Sequence, residues 1–427
     1  MFSRNITGIS GELSRLLQFL FIFLLIINTL LNKKKIKVIN PLFILYRRYF
    51  LFFVFAILSA IIGIINNSYG NGLSLFYGTG LSFSSFINGP LIRPIFEYLI
   101  TIYYFIYFAV LPFYFINTKT GIAYLFRVFS ITYLACLYLG IIDYLFLLIM
   151  NIEFIPRHFG ESPSVHVGLR FHGLAGEPRD AFVYFVFGIA MHYLKSLFFI
   201  KKINRKIILL SLIAILLTNS LSGIIGIIIS LFLLATFYLS RLSAKRLAYG
   251  FVIFCSFTFI IYLSITNTIR FENFMIALSA LYNVLDSGVQ IPPVLIGQMP
   301  NIYPIWERWL SLNRYEILPI IFGTGFGSAS AINNLYIGSA ELMNPHANFV
   351  RLFYENGLVG LILFISSFIY PLKKLNLPVQ ISNHATIMMI FVLGAFLAHR
   401  SPTLYIYLGA SLIVLSNLKN KPQNKIA

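Results

Sequence analysis

The chain has 427 residues, of which 59% are hydrophobic and only 11% are charged, and its formal net charge is +19. Because an ordinary soluble protein would carry roughly a quarter charged residues, this composition excludes a soluble enzyme. Apolar stretches near the ~20 residues needed to cross a bilayer follow one another almost end to end. They predict a single membrane domain over residues 1–427.

Cysteine usage and the first apolar segment add two constraints. Cys136 and Cys255 both lie in apolar stretches, which excludes a disulfide framework and a cysteine zinc site. Residues 16–31 have no small-residue cleavage site after them, and lysines follow directly at 33–35. We therefore predict a retained first span and not a cleaved signal peptide.

The predicted fold class is all-α, a polytopic membrane helix bundle with about eleven transmembrane helices, within a range of about ten to twelve. The apolar segments predict spans near residues 14–31, 49–65, 95–116, 130–150, 181–199, 207–220, 222–240, 247–266, 349–370, 385–399 and 403–416.

The connecting loops alternate between two kinds. Basic residues fill loops 32–48, 117–129, 200–206, 241–246 and 371–384 and the tail from 417. Every lysine belongs to this set if Lys195 lies at the inner end of its helix, so the positive-inside rule predicts that these loops are cytoplasmic. The net charge is therefore a topology signal and does not indicate a nucleic-acid partner.

The other loops are longer and carry glycine, proline and acidic residues. They cover residues of about 66–94, 151–180 and 267–348, and the last is predicted to contain short interfacial helices. In a bacterial inner membrane these loops would face the periplasm and form the outer active-site region.

The basic residues predicted on the outer side are all arginines. Arginine presents a planar fork of donors that binds phosphate bidentately and does not lose its proton. This pattern favours a lipid-linked phosphate or pyrophosphate, although pairing with outer acidic residues is the alternative. The candidate pyrophosphate-binding residues, chosen because they lie in motif-bearing segments, are Arg157, Arg170, Arg179, Arg308, Arg314 and Arg351.

The first motif leads into the span predicted at 181. Pro178 suits the first turn of a helix, and Asp180 in that turn is favoured by the helix dipole. A helix N-terminus flanked by arginines is a natural anion site, whereas a capped helix entry with its charges in water is the alternative. The polar residues around this N-terminus are Arg170, His172, Glu177 and Arg179.

The second motif combines an aromatic segment with glycines. Residues 306–314 could form a helix lying on the membrane, with Arg308 and Arg314 on it. Residues 319–327 form a glycine-rich turn that would let backbone approach a ligand. One interfacial helix and an ordinary loop would look the same.

The third motif begins the ninth predicted span. Asn344 is a good N-cap and Pro345 a good first helical residue, which places His346 in the first turn. The positive end of the helix dipole disfavours a charged imidazole there, so a neutral His346 could accept a proton. By helical spacing Asn348, Arg351 and Glu355 share one face, and Gly357 and Gly360 permit close helix packing.

In this order and topology the three segments resemble the O-antigen polymerase and ligase superfamily of integral membrane glycosyltransferases. His346, Gly357 and Gly360 fit the ligase signature, but Ala347 stands where that signature has a polar residue. This departure favours the Wzy-type polymerases over the ligases.

Two further features are similar to those polymerases. Their pattern of an arginine and a glycine with ten residues between them, once in each of two large outer loops, is matched by Arg157 with Gly168 and by Arg314 with Gly325. The Glu-Pro-Arg run at 177–179 also looks like theirs.

The resemblance implies that the chain transfers a growing glycan from undecaprenyl pyrophosphate to the next lipid-linked repeat unit. His346 and Glu177 would be the catalytic residues, and the arginines above would hold the pyrophosphate. No cofactor or metal is expected, because the donor is already activated and arginines can supply the positive charge. Expected partners are undecaprenyl-pyrophosphate-linked oligosaccharides, membrane lipid and a chain-length regulator.

Two alternatives stay open from the sequence. An O-antigen ligase would use the same donor but transfer the glycan to lipid A–core. A repeat-unit flippase belongs to another class and would need ionisable residues along several spans, whereas Asp143 is the clearest acid inside one.

Overall fold

The computed structural model describes residues 40–66, 92–150, 170–175, 177–200, 202–238, 318–329, 348–375 and 377–419, with isolated positions at Leu20, Phe23, Leu24, Ile27, Ile152 and Ile155. All regular structure in these residues is helical, which confirms the predicted all-α class. The predicted span near 247–266 lies outside the described residues, as does nearly all of the one near 14–31.

The first part of the bundle contains four helices. α1 covers Asn40–Ile65, α2 covers Ile92–Tyr104, a π-helical segment covers Phe105–Val110, α3 covers Leu111–Phe115, and α4 covers Lys119–Met150. The basic loop predicted over 117–129 is therefore wrong. The hydroxyl of Thr118 accepts a hydrogen bond from the backbone N–H of Gly121, and this cap starts α4.

Three helices follow. α5 covers Pro178–Phe199, α6 covers Arg205–Leu217 and α7 covers Leu221–Tyr238, and a 3₁₀ turn at Gly173–Ala175 precedes α5. Pro178 and Asp180 lie in the first turn of α5, as predicted. α6 and α7 are joined by a short connection through Asn219, which has a positive φ.

The last part of the bundle contains α8 at Leu318–Phe322, α9 at Asn348–Lys374, α10 at Val379–Ala398 and α11 at Thr403–Lys419. The helices extend further than the predicted spans. Lys373 and Lys374 form the last turn of α9, so the loop predicted over 371–384 is reduced to 375–378.

Helix length and apolarity make the chain a multi-pass membrane protein. In the described residues, six segments are long and apolar enough to cross a membrane, namely Leu45–Ile65, Pro94–Phe113, Lys119–Met150, Pro178–Phe199, Asn348–Lys374 and Val379–Ala398. Two shorter apolar helices cover Gly223–Phe237 and Thr403–Leu418. The predicted number of about eleven spans is not reached in this part of the chain, since several helices are short and two predicted spans fall outside it.

The described helices form a bundle with two chemically different ends. At one end the Arg48 guanidinium lies 4.2 Å from the centroid of the Tyr370 ring. At the other, the hydroxyl of Ser59 donates to the carbonyl of Glu355 over 2.5 Å. We call the first the basic end, defined by Arg48, Lys119, Lys202, Arg205 and Lys374. We call the second the polar end, defined by Glu97, Asp143, Asp180, Arg351 and Arg400.

Aromatic side chains fill the core between α1, α2, α9, α10 and α11. Tyr49 stacks on Phe105 with ring centroids 3.9 Å apart, and its hydroxyl donates to that of Tyr405 over 3.1 Å. Glycines bring other helices together, because a Cβ on Gly394 of α10 would lie 2.6 Å from the carbonyl oxygen of Gly226 in α7.

The π-helical segment is explained by Pro112, which has no N–H to donate to the carbonyl of Phe108. The chain widens instead, and the backbone N–H of Leu111 donates to Ile106 five residues earlier. The Phe108 carbonyl faces Gly409 of α11, where a Cβ would lie 2.4 Å from its oxygen.

A kink at Gly357 divides α9 into two parts. Gly357 has φ 61° and ψ −169°, a conformation that only glycine adopts readily, so the helical hydrogen bonds across it are interrupted. The carbonyls of Tyr354 and Glu355 instead accept the backbone N–H groups of Thr324 and Gly325, over 2.9 and 3.1 Å. The glycine-rich turn that was expected to approach a ligand therefore docks on α9.

Candidate functional site

Four charged side chains from three separate segments form an ion-pair network at the polar end. Glu97 comes from α2, Arg351 and Glu355 from α9, and Arg400 from the connector between α10 and α11. Nε of Arg351 donates to Oε1 of Glu355 over 3.0 Å, and its Nη2 lies 3.1 Å from Oε2 of Glu97. The same Glu97 oxygen also accepts a hydrogen bond from Nη1 of Arg400.

Helical spacing explains why two of the four side chains meet. Arg351 and Glu355 are four residues apart on α9, so their side chains meet on one face, as the sequence predicted. Glu97 and Arg400 reach the same place from elements distant in the chain. Only the packing of α2 and the α10–α11 connector beside α9 brings these two together.

Burial distinguishes the members of the network. The side chains of Glu97, Arg351 and Glu355 are at most 8% exposed, whereas the Arg400 side chain is 29% exposed. Buried charges persist only when they are paired, and each buried member here has an opposite charge beside it. Arg400 is therefore the member that can meet a ligand, and the buried three fix its position.

Oδ1 of Asn356, next to Glu355 in α9, is buried and has no hydrogen-bond partner among the described residues. Buried polar atoms are seldom left unpaired, so this part of the bundle has capacity for further hydrogen bonds.

A second polar pair joins α5 to the end of α10. Nε2 of His399 lies 2.8 Å from Oδ1 of Asp180, and the side chains are 16% and 32% exposed. His399 follows the last residue of α10 and has an extended backbone, with φ −146° and ψ 124°. Successive side chains of an extended chain point to opposite sides, so His399 reaches α5 while Arg400 reaches α2.

The predicted residues of the first motif are described, and their contacts are with the protein itself. Nε and Nη2 of Arg170 donate to the carbonyls of Thr218 and Asn219, over 3.2 and 2.9 Å, at the end of α6. Arg179 pairs with Glu177, the residue that precedes α5. The structure thus brings Glu177 and Arg179 together and directs Arg170 to another helix.

His172, the remaining residue of that motif, is buried against α4. Its Nε2 lies 3.7 Å from Oδ2 of Asp143, the acid that the sequence placed inside a span. Oδ1 of Asp143 also accepts the backbone N–H of Ile155 over 2.6 Å. Asp143 therefore has partners at the polar end of α4 and is not an isolated charge in the membrane.

Of the other predicted site residues, Arg351 belongs to the ion-pair network. His346, Arg157, Arg308 and Arg314 lie outside the described residues, and their roles stay predictions. No group of three or more histidine, cysteine or acidic residues in the described ranges could hold a metal ion.

Sequence reasoning did not single out Glu97, His399 or Arg400 as site residues. The available signal was the short connector at 399–402, where a histidine and an arginine stand together between two apolar spans. Ionisable residues at such a position in a membrane protein are a reason to expect a site.

Taken together, the helices and the charged polar end define a multi-pass, all-helical membrane protein with a buried ion-pair network at one end. No protein-family model, curated protein or solved structure matches the chain.

Proposed function

We propose that this chain is an O-antigen polymerase of the Wzy type, a membrane glycosyltransferase that extends a lipid-linked glycan. The observation that carries the proposal is the ion-pair network at the polar end, opposite the lysine-bearing basic end. By the positive-inside rule the polar end faces the periplasm, where flipped repeat units are found.

Arg400 supports the anion-binding part of the proposal. One guanidinium nitrogen pairs with Glu97, and the exposed remainder of the side chain can donate to a pyrophosphate. Because Glu97 is itself held by Arg351, the Arg400 fork is fixed before the substrate arrives. Donors fixed in advance stabilise the charge of a leaving group without the cost of reorganisation.

The residues predicted from sequence complete the proposed site. Further positive charge would come from the outer loops, through Arg157, Arg308 and Arg314. Two more arginines, Arg170 and Arg179, lie near the N-terminus of α5. His346 or Glu177 was expected to accept the proton of the attacking hydroxyl. The donor glycan is already activated, so the proposal requires no metal.

Gene deletion in the source bacterium is the decisive experiment, with lipopolysaccharide separated on a gel. We expect core carrying a single repeat unit in the deletion strain, and a restored ladder with the wild-type gene. Arg400→Gln should leave mostly single repeat units, because a key pyrophosphate donor is lost. Arg205→Gln, at the exposed start of α6 on the basic end, is the matched control and should restore the ladder.

Other outcomes identify other functions. A deletion strain with no O-antigen on core, but with polymer still attached to the lipid carrier, would identify a ligase. Lipid-linked repeat units retained on the cytoplasmic face would identify a flippase. A complete ladder in the deletion strain would exclude all three.

A further inference from the structure

We propose that His399, oriented by Asp180, is the general base that deprotonates the attacking sugar hydroxyl. This inference rests on the proposed glycosyltransferase function and names a base that the sequence motifs did not indicate.

The geometry of the pair is that of an oriented imidazole. Oδ1 of Asp180 lies 2.8 Å from Nε2 of His399, a distance at which the carboxylate accepts the Nε2 proton. The proton then resides on Nε2, and Nδ1 keeps its lone pair. Nδ1 has no hydrogen-bond partner among the described residues, and it is not completely buried.

The location of the pair fits the reaction. His399 precedes Arg400 in the chain, and the extended backbone sends the two side chains to opposite sides of the connector. The proposed base therefore stands next to the proposed pyrophosphate-binding arginine without being neutralised by it. A transfer reaction needs this separation, because the acceptor attacks the anomeric carbon from one direction while the pyrophosphate departs in another.

The two carboxylates of the ion-pair network, Glu97 and Glu355, are poorly suited to be the base. Oε2 of Glu97 is shared by Arg351 and Arg400, and Glu97 is only 2% exposed. Glu355 is buried and paired with Arg351. Both serve better as fixed negative charges than as proton acceptors.

The proposed step moves one proton to His399 and one glycan to the acceptor. Nδ1 of His399 takes the proton of the acceptor hydroxyl, and the oxygen's electron pair forms a bond to the anomeric carbon of the donor glycan. The bond from that carbon to the pyrophosphate oxygen breaks, and its electrons leave with undecaprenyl pyrophosphate. The imidazolium, stabilised by Asp180, then loses its proton to water.

The test uses the purified full-length protein in liposomes, with lipid-linked repeat units extracted from the deletion strain as the probe. We expect His399→Ala and His399→Gln to lower kcat by about 10²–10⁴, the usual contribution of a general base, with little change in KM. Glutamine can still bond to Asp180 but cannot act as a base. Added imidazole should restore part of the His399→Ala rate, which a purely structural loss would not allow.

Asp180→Asn tests the positioning role. An amide can present its N–H₂ to the ring and favour the other tautomer, so kcat should fall and imidazole should not restore it. The matched control is His384→Ala, an exposed histidine near the basic end of α10, the helix that His399 follows. It should keep the wild-type rate with or without imidazole.

The outcomes separate this inference from the proposed function. If wild type extends the repeat units and His399→Gln does so at the same rate, the base assignment is overturned while the polymerase proposal stands. Loss of activity in His346→Ala with rescue by imidazole, and no such behaviour at His399, would also overturn it and assign the base to His346. If wild type itself makes no polymer, both proposals fail.

Discussion

Arg351 illustrates how the residues of the polar end depend on one another. Its Nε binds Glu355 and its Nη2 binds Glu97, so a single guanidinium neutralises two buried carboxylates. Removing one partner of such a pair leaves an uncompensated charge, which costs more than the pair itself contributes. Arg351 thus sets the position of Glu97, and through it that of Arg400.

We predict that Arg351→Met lowers the free energy of unfolding by about 3–5 kcal/mol, since Glu97 and Glu355 then remain buried and one loses its only guanidinium. Denaturation of the detergent-solubilised protein measures this. The control is Arg205→Met, at the exposed start of α6, which should change the free energy of unfolding by at most about 0.5 kcal/mol. Equal losses in the two variants would contradict the prediction.

Substitution by lysine should distinguish a structural arginine, Arg170, from the proposed substrate-binding arginine, Arg314. A lysine cannot bond both the Thr218 and Asn219 carbonyls as Arg170 does, so Arg170→Lys should cost about 1–3 kcal/mol of stability. Arg314→Lys should instead lower the polymerisation rate by about 10²–10³ without changing stability, if Arg314 binds the pyrophosphate. Full-length polymer from Arg314→Lys at normal expression would reject that role.

At the scale of helices, the break in α9 determines how the polar end is assembled. The bend at Gly357 frees two carbonyls, and the turn after α8 binds them. That turn approaches so closely that a Cβ on Gly323 would lie 2.3 Å from the carbonyl oxygen of Glu355. The part of α9 that carries Arg351 is therefore fixed by backbone contacts just before the bend.

We predict that Gly357→Ala destabilises the protein by more than ~1–3 kcal/mol, the usual cost of a non-glycine residue with positive φ. The added Cβ would also lie 2.4 Å from the carbonyl oxygen of Ile321. Leu358→Ala, at an exposed neighbouring position on α9, is the control and should change little. Similar unfolding curves for Gly357→Ala and wild type would show that the bend is not required.

The sequence predicted the helical class, the start of α5 and the shared face of Arg351 and Glu355, because these depend on hydropathy and local spacing. It misplaced the start of α4, since basic residues were assigned to a loop although they are compatible with helix. It missed Glu97, His399 and Arg400 because contacts between distant segments leave no periodic signal in one sequence. Hydropathy also cannot show that Arg170 binds a neighbouring helix end.

For the whole molecule, the separation of lysines from acidic residues predicts the orientation in the membrane. Reporters fused after Lys202, Lys245 and Lys374 should report the cytoplasm, and fusions within 155–175 and 290–340 the periplasm. Paired alkaline phosphatase and fluorescent-protein fusions measure this. A cytoplasmic signal from 290–340 would remove the basis for an outer active site, because the proposed substrate would be on the opposite side of the membrane from this loop.

α6 is too short to cross a bilayer of ordinary thickness. At ~1.5 Å per residue its residues Arg205–Leu217 cover about 20 Å, against a hydrocarbon thickness of about 30 Å. If Arg205 and Lys206 lie among the headgroups, the C-terminal end of α6 stops about 10 Å short of the opposite edge of the hydrocarbon core. We expect this hydrophobic mismatch to thin the bilayer locally beside α6. A locally thinner bilayer would lower the energy barrier for the headgroup of a long polyprenyl carrier to reach the polar end.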